Sequence, residues 1–497
     1  MLYFARFASS RRAGTVQVLG EEALLALSRS REVPSMQEGS RAEKLLALFR
    51  DVVLPLADAY LATRRVLLWA PQEQALVAGT RSYPLADIED IFLVGAGKAG
   101  VPMARAVTDV LKQDDRLWAK FAGGTLNVYR DQADASIPKV TLFAADHPNP
   151  NDASVQGARA ALELLSAASS NDLVIALISG GGSSLLSLPQ EGISFEDFRA
   201  TSRVLVTGGP TIQEINTVRK HLSQVKGGRL RMAAPEAEFL TLVLSDVIGD
   251  DLSSIASGPT VPDPTTCRDA VHILQSHGLW ERIPEASRSR LLSRDPEEDT
   301  KADLWRERLT PHTQNIIVAS NAVLLDSLSK ELSLAQYRDL AACVHLEQKP
   351  VTGTVEEAVE QHYRRAIGLA AGSSRPTLML CGGEPIVTVP EHAHGTGGRM
   401  LHYALLAAIS IAGAPWAVLA SGTDGIDGTS PAAGAVVTGE TLRLAEQNGL
   451  NPGDYLASYD SYGFFSEMEA RTGERFLNVT GPTGTNVNDI MLWLCDT

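Results

Sequence analysis

Apolar runs of strand length recur along the chain and alternate with stretches of helical periodicity. The strand-like runs are 90–97, 139–146, 172–182, 240–246 and 315–321, and the helical patterns include 101–112, 153–168 and 211–225. These runs are continuously apolar instead of alternating, which is typical of strands buried on both faces of a parallel sheet. Four of them end in Gly, Ser, Asp or Asn, where open α/β sheets bind ligands. The pattern predicts an α/β fold with its site at that edge.

A second set of apolar runs follows at 377–385, 416–425, 475–484 and 488–495, beyond a polar stretch at 347–375. With 497 residues, the chain is longer than one hydrophobic core usually serves. We therefore predict two domains, a larger one at 39–345 and a smaller one at 376–497, joined by a linker at 346–375.

The charge balance limits the partners of this chain. Its formal net charge is −15, which repels nucleic acid and anionic membranes, so an anionic substrate needs local cations. The four cysteines are far apart and form no C-x-x-C pair, which argues against a zinc ribbon, a redox pair or a disulfide framework. The uncharged stretch 400–423 is interrupted by Gly413 and Pro415, so we predict a buried helix and a buried strand there instead of a membrane span.

The N-terminus resembles a targeting segment in composition. Its first twenty residues contain three arginines and several small hydroxylated residues but no acid, as mitochondrial transit peptides do. A frayed cytosolic N-terminus is the alternative. We therefore treat 1–38 as a transit peptide or an unstructured leader, and the location as mitochondrial or cytoplasmic.

The segment VGAGKAG at 94–100 matches the G-x-G-x-x-G fingerprint of dinucleotide sites. Such a site also needs an acid at the end of the following strand, whereas Asp114 and Asp115 precede the next apolar run at 121–129. Lys98 within the segment is better explained as a partner for a phosphate or carboxylate, with a solvent-exposed lysine as the alternative.

Two further segments offer groups that bind anions. The segment SGGGSS at 179–184 places three glycines and several hydroxyls after an apolar strand, which suits a phosphate cradle, although a tight turn is the alternative. The segment 215–231 concentrates basic residues in an acidic protein, and Arg219 and Lys226 are seven residues apart on one helical face. This face is either solvated or binds an anion.

Two acidic loops, 244–251 and 421–428, follow predicted strands and contain glycine turns. Carboxylates in this position suit Mg²⁺, which prefers oxygen ligands and keeps several waters. Aspartates that only stabilise their own turns are the alternative.

Several of these motifs resemble the class II glycerate kinases, also called glycerate 2-kinases, whose C-terminal half is the MOFRL domain. The similarity extends from about residue 91 to the C-terminus and includes INTVRKHLSQVKGGRL, LSDVIGDDLSSIASGPTVPDPT, CGGEPIVTV, GTGGR, SGTDGIDG and TGPTGTNVND. The resemblance implies a larger Rossmann-like domain, a smaller α/β MOFRL domain and an active site in the cleft between them. It also implies phosphoryl transfer from ATP to the 2-hydroxyl of D-glycerate with Mg²⁺, and active-site roles for Lys98 and Arg399.

The chain departs from the family pattern after the G-x-G-G-R loop, where the family commonly has Asn and, two residues later, Glu. Met400, Leu401 and His402 follow Arg399 here, so roles of that Asn or Glu are not carried over.

We predict that Lys98 and Arg399 flank the transferring phosphoryl group or the glycerate carboxylate, with Asp246 as the metal ligand. The residues predicted to bind substrate or phosphate are Ser179, Gly180, Gly181, Gly182, Ser183, Ser184, Asn216, Lys220, Lys226 and Glu384. The sequence assigns no general base. The alternative functions are a hydroxypyruvate reductase using NADH or NADPH, and a non-catalytic metabolite-binding module.

Overall fold

The computed structural model describes residues 39–293, 301–338, 340–391 and 393–496. The predicted leader at 1–38 lies outside these residues. The strands are β1 Leu67–Ala70, β2 Ala75–Ala78, β3 Arg81–Pro84, β4 Ile91–Ala96, β5 Phe121–Tyr129, β6 Val140–Ala145, β7 Leu173–Ile178, β8 Glu238–Leu244, β9 Thr313–Ala319, β10 Cys343–Leu346, β11 Thr377–Gly383, β12 Ala417–Gly422, β13 Gly434–Thr438, β14 Leu477–Asn478 and β15 Asp489–Cys495.

The α-helices alternate with these strands, and shorter 3-10 and π-helical turns connect several of them. They are α1 Arg41–Leu48, α2 Leu54–Ala57, α3 Ala59–Val66, α4 Gly100–Leu111, α5 Asp115–Ala119, α6 Asp152–Ser166, α7 Gly182–Leu185, α8 Phe195–Thr207, α9 Ile212–His221, α10 Arg229–Met232, α11 Cys267–Ser276, α12 Glu285–Leu292, α13 Ala302–Leu304, α14 Asn321–Leu332, α15 Val355–Ala371, α16 Arg399–Ser410, α17 Thr441–Gln447, α18 Pro452–Ala457 and α19 Ser461–Thr472. Among the described residues, no helix has both the length and the apolar character needed to cross a bilayer.

The first large sheet has the strand order β6-β5-β4-β7-β8-β9, and all its neighbouring strands are parallel. This is the order of a Rossmann-like sheet, and it confirms the predicted fold class. The connection changes direction between β4 and β7, so the loops that leave these two strands open a crevice at their carboxyl ends. The GAGK and SGGG segments are those two loops.

The second large sheet is mixed, with the order β10-β11-β15-β12-β13-β14 and only β10 and β11 parallel. Strands β12 and β15 are nevertheless buried along their whole length. Helices α15 and α16 pack on one face of this sheet, and the core shared with the first sheet covers the other. In this sheet, a continuously apolar strand indicates burial on both faces but does not indicate that the strand is parallel to its neighbours. The predicted helix and strand within 400–423 are confirmed as α16 and β12.

The two large sheets share one apolar core. Leu45 and Leu48 of α1 belong to the same buried cluster as Leu419 of the second sheet and Leu242 of the first. Helix α1 packs against β12 and β13, and Arg41 forms an ion pair with Asp496 at 2.6 Å. The first described helix therefore covers one face of the C-terminal sheet. The large apolar contact between the two sheets opposes free motion of the N-terminal and C-terminal parts of the chain.

The segment 346–375, predicted as a linker, differs from that expectation because it contains the 17-residue helix α15. Thr354 caps the helix by accepting a hydrogen bond from the Glu357 N–H. Val355, Val359 and Ala366 are buried against the second sheet. Their spacing is helical, but the many charges between them make the stretch look like a loop.

Candidate active site

The loops that leave β4 and β7 are bonded to each other at the crevice. The Lys98 N–H donates to the Gly180 carbonyl at 2.9 Å, and the Ala99 N–H donates to Ser179 Oγ at 3.0 Å. Gly97 has a φ of 144°, and a Cβ there would overlap Ser179 Oγ. The glycine fingerprint thus serves loop-to-loop contact, and two amides at the start of α4 are already occupied.

The Lys98 side chain is exposed and lies against Gly181, which has a φ of 79°. A Cβ on Gly181 would lie 3.4 Å from Lys98 Cγ and Cε and 3.2 Å from His147 Cδ2. Within the described residues, no carboxylate lies at ion-pair distance from Lys98. Burial and the nearby Lys98 lower the pKa of His147, which keeps its imidazole neutral at pH 7.

Asp246 follows β8 and lies beside the same loops. A Cβ on Gly180 would overlap its carboxylate, so only glycine fits at this contact. Burial raises the pKa of Asp246, and the Glu384 charge adds to the rise, whereas Lys98 lowers it. In the described parts of the chain, no three His, Cys, Asp or Glu side chains are grouped to hold a metal ion.

Arg399 is the first residue of α16 and reaches the site through an ion pair with Glu384, although it does not itself line the cleft. Its Nε is 2.5 Å from Asp489 Oδ2, and one terminal nitrogen is 2.9 Å from Glu384 Oε1. Burial acts to lower the pKa of Arg399, but Asp489 and Glu384 raise it overall. Burial raises the pKa of Asp489 to about 7, with Arg399 acting in the opposite direction.

Asp427 holds the N-terminus of α16, the helix that presents Arg399. It accepts hydrogen bonds from the Met400 and Leu401 N–H groups at 3.1 and 2.7 Å, and burial raises its pKa to about 6. Met400 and Leu401, where the chain departs from the family pattern, are buried in the second core. His402 stacks on Tyr459 with ring centroids 5.5 Å apart. All three side chains are used in packing.

Asn488 connects the two sides of the cleft. Its Nδ2 donates to the Asp246 carbonyl at 3.0 Å and to Glu384 Oε2 at 3.2 Å. Its backbone is left-handed, with a φ of 62°. Asn488 and Asp489 were not singled out as individual residues in the sequence, although a carboxylate at the start of an otherwise apolar strand is a detectable signal.

Three residues of the predicted phosphate cradle, Gly181, Ser183 and Ser184, line a cleft of about 700 Å³ together with Asp246 and Glu384, whereas Ser179, Gly180 and Gly182 do not line it. Many of its polar groups already have protein partners. Ser183 Oγ is 2.9 Å from Ser257 Oγ, which in turn donates to Asn216 Oδ1 at 3.0 Å. Ser184 Oγ donates to the Pro148 carbonyl at 2.8 Å. These hydroxyls are therefore already hydrogen-bonded within the protein, and the segment shapes the wall of the cleft more than it offers free donors.

The two lysines predicted to bind substrate or phosphate have different surroundings. Lys226 is fully buried, and its Nζ donates to the carbonyls of Ser183 and Leu186 at 2.5 and 2.9 Å. Burial lowers its pKa to about 7, and Arg219 contributes. Lys220 forms a buried ion pair with Asp263 at 3.5 Å and does not line the cleft. The structure thus does not bring Lys220 to the other predicted residues, because it occupies a different face of α9.

A second depression of about 890 Å³ lies among Arg81, Asp172 and Glu238. These residues are at the amino ends of the parallel strands, where α/β sheets do not usually bind ligands. We therefore assign the site to the smaller cleft, which contains the glycine loops.

Comparison with known proteins identifies the family of this chain. The chain matches a domain of unknown function, DUF4147, over residues 48–292 and the MOFRL family over residues 377–489. It is 36% identical to the glycerate 2-kinase of Pyrococcus horikoshii over 81% of this chain and 86% of that protein. The chain belongs to the MOFRL-containing glycerate kinase family. This assignment confirms the resemblance stated from the sequence and makes the protein a kinase.

Other members of the glycerate kinase family support the fold. A crystal structure of the glycerate kinase from Thermotoga maritima superimposes with a TM-score of 0.75 at 30% identity, covering 91% of this chain and all of that chain. An Agrobacterium vitis relative, 33% identical over 93% of this chain and 99% of that protein, carries the provisional name hydroxypyruvate reductase.

Proposed function

We propose that this protein transfers the γ-phosphoryl group of ATP to the 2-hydroxyl of D-glycerate, giving 2-phosphoglycerate, in the presence of Mg²⁺. The observation that carries the proposal is the contact of two glycine-rich loops beside Lys98, which has no ion-pair partner among the described residues. Arg399, at the start of α16, is bonded to Glu384, which lines the same cleft. Phosphoryl transfer needs mainly positioning and positive charge around the phosphate oxygens. Both are available here.

Lys98 and Arg399 supply that charge in different ways. The Lys98 ammonium is exposed at the loop that follows β4. No carboxylate of the described residues forms an ion pair with it, so it is available to a phosphate. The Arg399 guanidinium is held by Asp489 and Glu384 and has further N–H donors for a phosphate or carboxylate. Together they stabilise the negative charge that the transition state spreads over the equatorial oxygens.

Asp246 fits a metal because its carboxylate lies directly against Gly180, in a cradle that a Cβ would fill. Mg²⁺ is usually held by one or two protein carboxylates together with substrate phosphates, so the absence of a three-ligand cluster among the described residues is compatible with it. When bound, Mg²⁺ would neutralise phosphate charge. The chain itself contributes Asp246 as the ligand.

Two groups at the cleft can accept the proton of the attacking hydroxyl. His147 lines the cleft, and its lowered pKa leaves a neutral ring nitrogen at pH 7. The carboxylate of Asp246 is the second group, in the case that it does not hold the metal ion. Transfer to the 3-hydroxyl, which gives 3-phosphoglycerate, is the alternative outcome, and ³¹P NMR of the product distinguishes the two.

Hydroxypyruvate reduction is the alternative function, favoured by the fingerprint at 94–100 and by the names of two relatives. The occupied amides of Lys98 and Ala99 argue against it, because dinucleotide sites use the free N–H groups at this helix start for the pyrophosphate. The decisive experiment incubates the purified protein with D-glycerate and Mg-ATP, and separately with hydroxypyruvate and NADH. We expect ADP release that requires D-glycerate and Mg²⁺. NADH oxidation without ADP release would overturn the proposal.

The cellular location remains a separate proposal based on the N-terminal composition. We expect deletion of residues 1–20 to leave activity unchanged and to move a tagged protein from mitochondria to the cytosol. The same distribution of the full-length and truncated proteins would contradict import.

A further inference from the structure

Helix α9 divides its side chains between the core and the cleft. Ile215 and Val218 are buried in the cluster that α9 shares with α8 and α11. Ile212, Asn216 and Arg219, spaced at i, i+4 and i+7, line the cleft. Because the core side of the helix is fixed by packing, the direction of Arg219 is fixed as well.

Arg219 has no protein partner in the described part of the chain. Neither a carboxylate nor a carbonyl of the described residues accepts a hydrogen bond from its guanidinium, although the side chain is partly buried. Its neighbours differ in this respect: Lys220 pairs with Asp263, and Lys226 donates to two carbonyls. Burial lowers the pKa of Arg219, but an arginine stays protonated in proteins.

An unpaired, partly buried guanidinium is unfavourable because it loses water without gaining a partner, unless a bound ligand accepts its hydrogen bonds. Its five N–H groups form a planar fork that matches the two oxygens of a carboxylate or phosphate. Lys226, which also lines the cleft, adds positive charge in its protonated form. Ser183 and Asn216 line the cleft as well. A bound oxyanion satisfies this environment, whereas a neutral group does not.

We propose that Arg219 is an oxyanion-binding residue of the cleft, pairing with the carboxylate of the acceptor acid or with a phosphate of the nucleotide. This assignment rests on the proposed function and adds to it a third cation, beyond Lys98 and Arg399. Arg219 binds ligand, whereas the adjacent Lys220 serves the fold.

The test compares Arg219→Met with Arg203→Met by titration calorimetry, using D-glycerate alone and Mg-ATP alone as probes. Arg203 also lines the cleft, but it is exposed and paired with Glu196 at 3.0 Å. We expect Arg219→Met to raise the Kd of one probe by about 10- to 100-fold, and Arg203→Met to change both by less than about threefold. A larger Kd for D-glycerate identifies the carboxylate as the partner, and a larger Kd for Mg-ATP identifies a phosphate.

Two further measurements exclude a structural explanation. Since Arg219 has no partner to lose within the described residues, we expect the Tm of ligand-free Arg219→Met to equal or exceed that of the wild type. Arg219→Lys, which keeps the charge but not the fork, should recover only part of the affinity. Wild-type Kd values for both probes in Arg219→Met would overturn the assignment while leaving the proposed function intact. A wild-type protein that binds neither probe and releases no ADP would overturn the proposed function itself.

Discussion

The two sides of the cleft hold their cations in opposite ways. Lys98 extends from a loop shaped by glycines and is exposed, with no carboxylate at ion-pair distance among the described residues. Arg399 begins a helix, and two carboxylates, Asp489 and Glu384, hold its guanidinium. One side is positioned by the shape of the backbone, and the other by ion pairs.

On the Lys98 side, ligand binding and folding stability therefore depend on different contacts. On the Arg399 side, the same ion pairs serve both. Removal of the Lys98 side chain leaves no buried group without a partner among the residues that the structure describes. Removal of Arg399 leaves the buried carboxylate of Asp489 without its cation, and an unpaired buried charge lowers the folding stability. The two variants should therefore lose activity alike but differ in folding.

The largest expected effect is that of Lys98→Ala on catalysis. We expect kcat to fall by about two to four powers of ten with an unchanged Tm, because under the proposed function the variant loses a charge next to the transferring group. Lys349→Ala, which removes another exposed lysine, is the matched control and should retain full activity. Near-normal kcat/KM in folded Lys98→Ala would show that Lys98 is only a surface cation.

Arg399→Ala should lose a comparable part of kcat and also about 1–3 kcal/mol of unfolding free energy in urea. Adding Asp489→Asn should recover most of that stability and none of the activity, since the buried charge is then removed. Equal stability of Arg399→Ala and the wild type would contradict the coupling described above.

The Arg399 side should also respond to pH through Asp427. Its folded pKa of about 6 lies above the unfolded value of about 3.9, so the native state binds more protons between pH 4 and pH 6. The stability that Asp427 contributes is therefore present at low pH and is lost as the pH rises through 6. Relative to Asp427→Asn, the wild type should lose about 2–3 kcal/mol between pH 4 and pH 7, measured by urea unfolding. A pH-independent difference would refute this.

The smallest expected effect concerns the brace between the glycine loops. Ser179→Ala removes the acceptor for the Ala99 N–H and should cost about 1 kcal/mol and severalfold in kcat. Ser421→Ala removes a similar buried bond, from Asn478 Nδ2 at 2.9 Å on the second sheet. It should cost a similar stability without loss of kcat. Equal losses of kcat in both variants would mean that loop position is unimportant.

The sequence predicted the parts of this protein that depend on local pattern. Strands β4, β7 and β8, their glycine and aspartate loops, and a parallel sheet all follow from apolar runs and the residues that end them, whereas the Rossmann-like domain was implied by the family resemblance. The family followed from motif strings. Helix α15 was missed because charges interrupt its apolar stripe.

Partners across long sequence separations were not predictable in the same way. Arg399 meets Asp489, 90 residues later, and Asn488 reaches back to the Asp246 carbonyl. A helical pattern says which residues share a face but not which element covers that face. Adjacent residues of α9 show this, since Arg219 faces the cleft whereas Lys220 is buried against Asp263.

The packing of α1 on the C-terminal sheet has a consequence for synthesis. Helix α1 ends at Leu48, and β12, which it covers, begins at Ala417, so roughly 370 residues are translated between them. At about 5–20 residues per second, the apolar face of α1 waits roughly 20–70 seconds on the ribosome for its partner. The last sheet to be synthesised therefore completes a core begun by the first described helix, and a nascent chain stalled before β12 exposes Leu45 and Leu48 to chaperones.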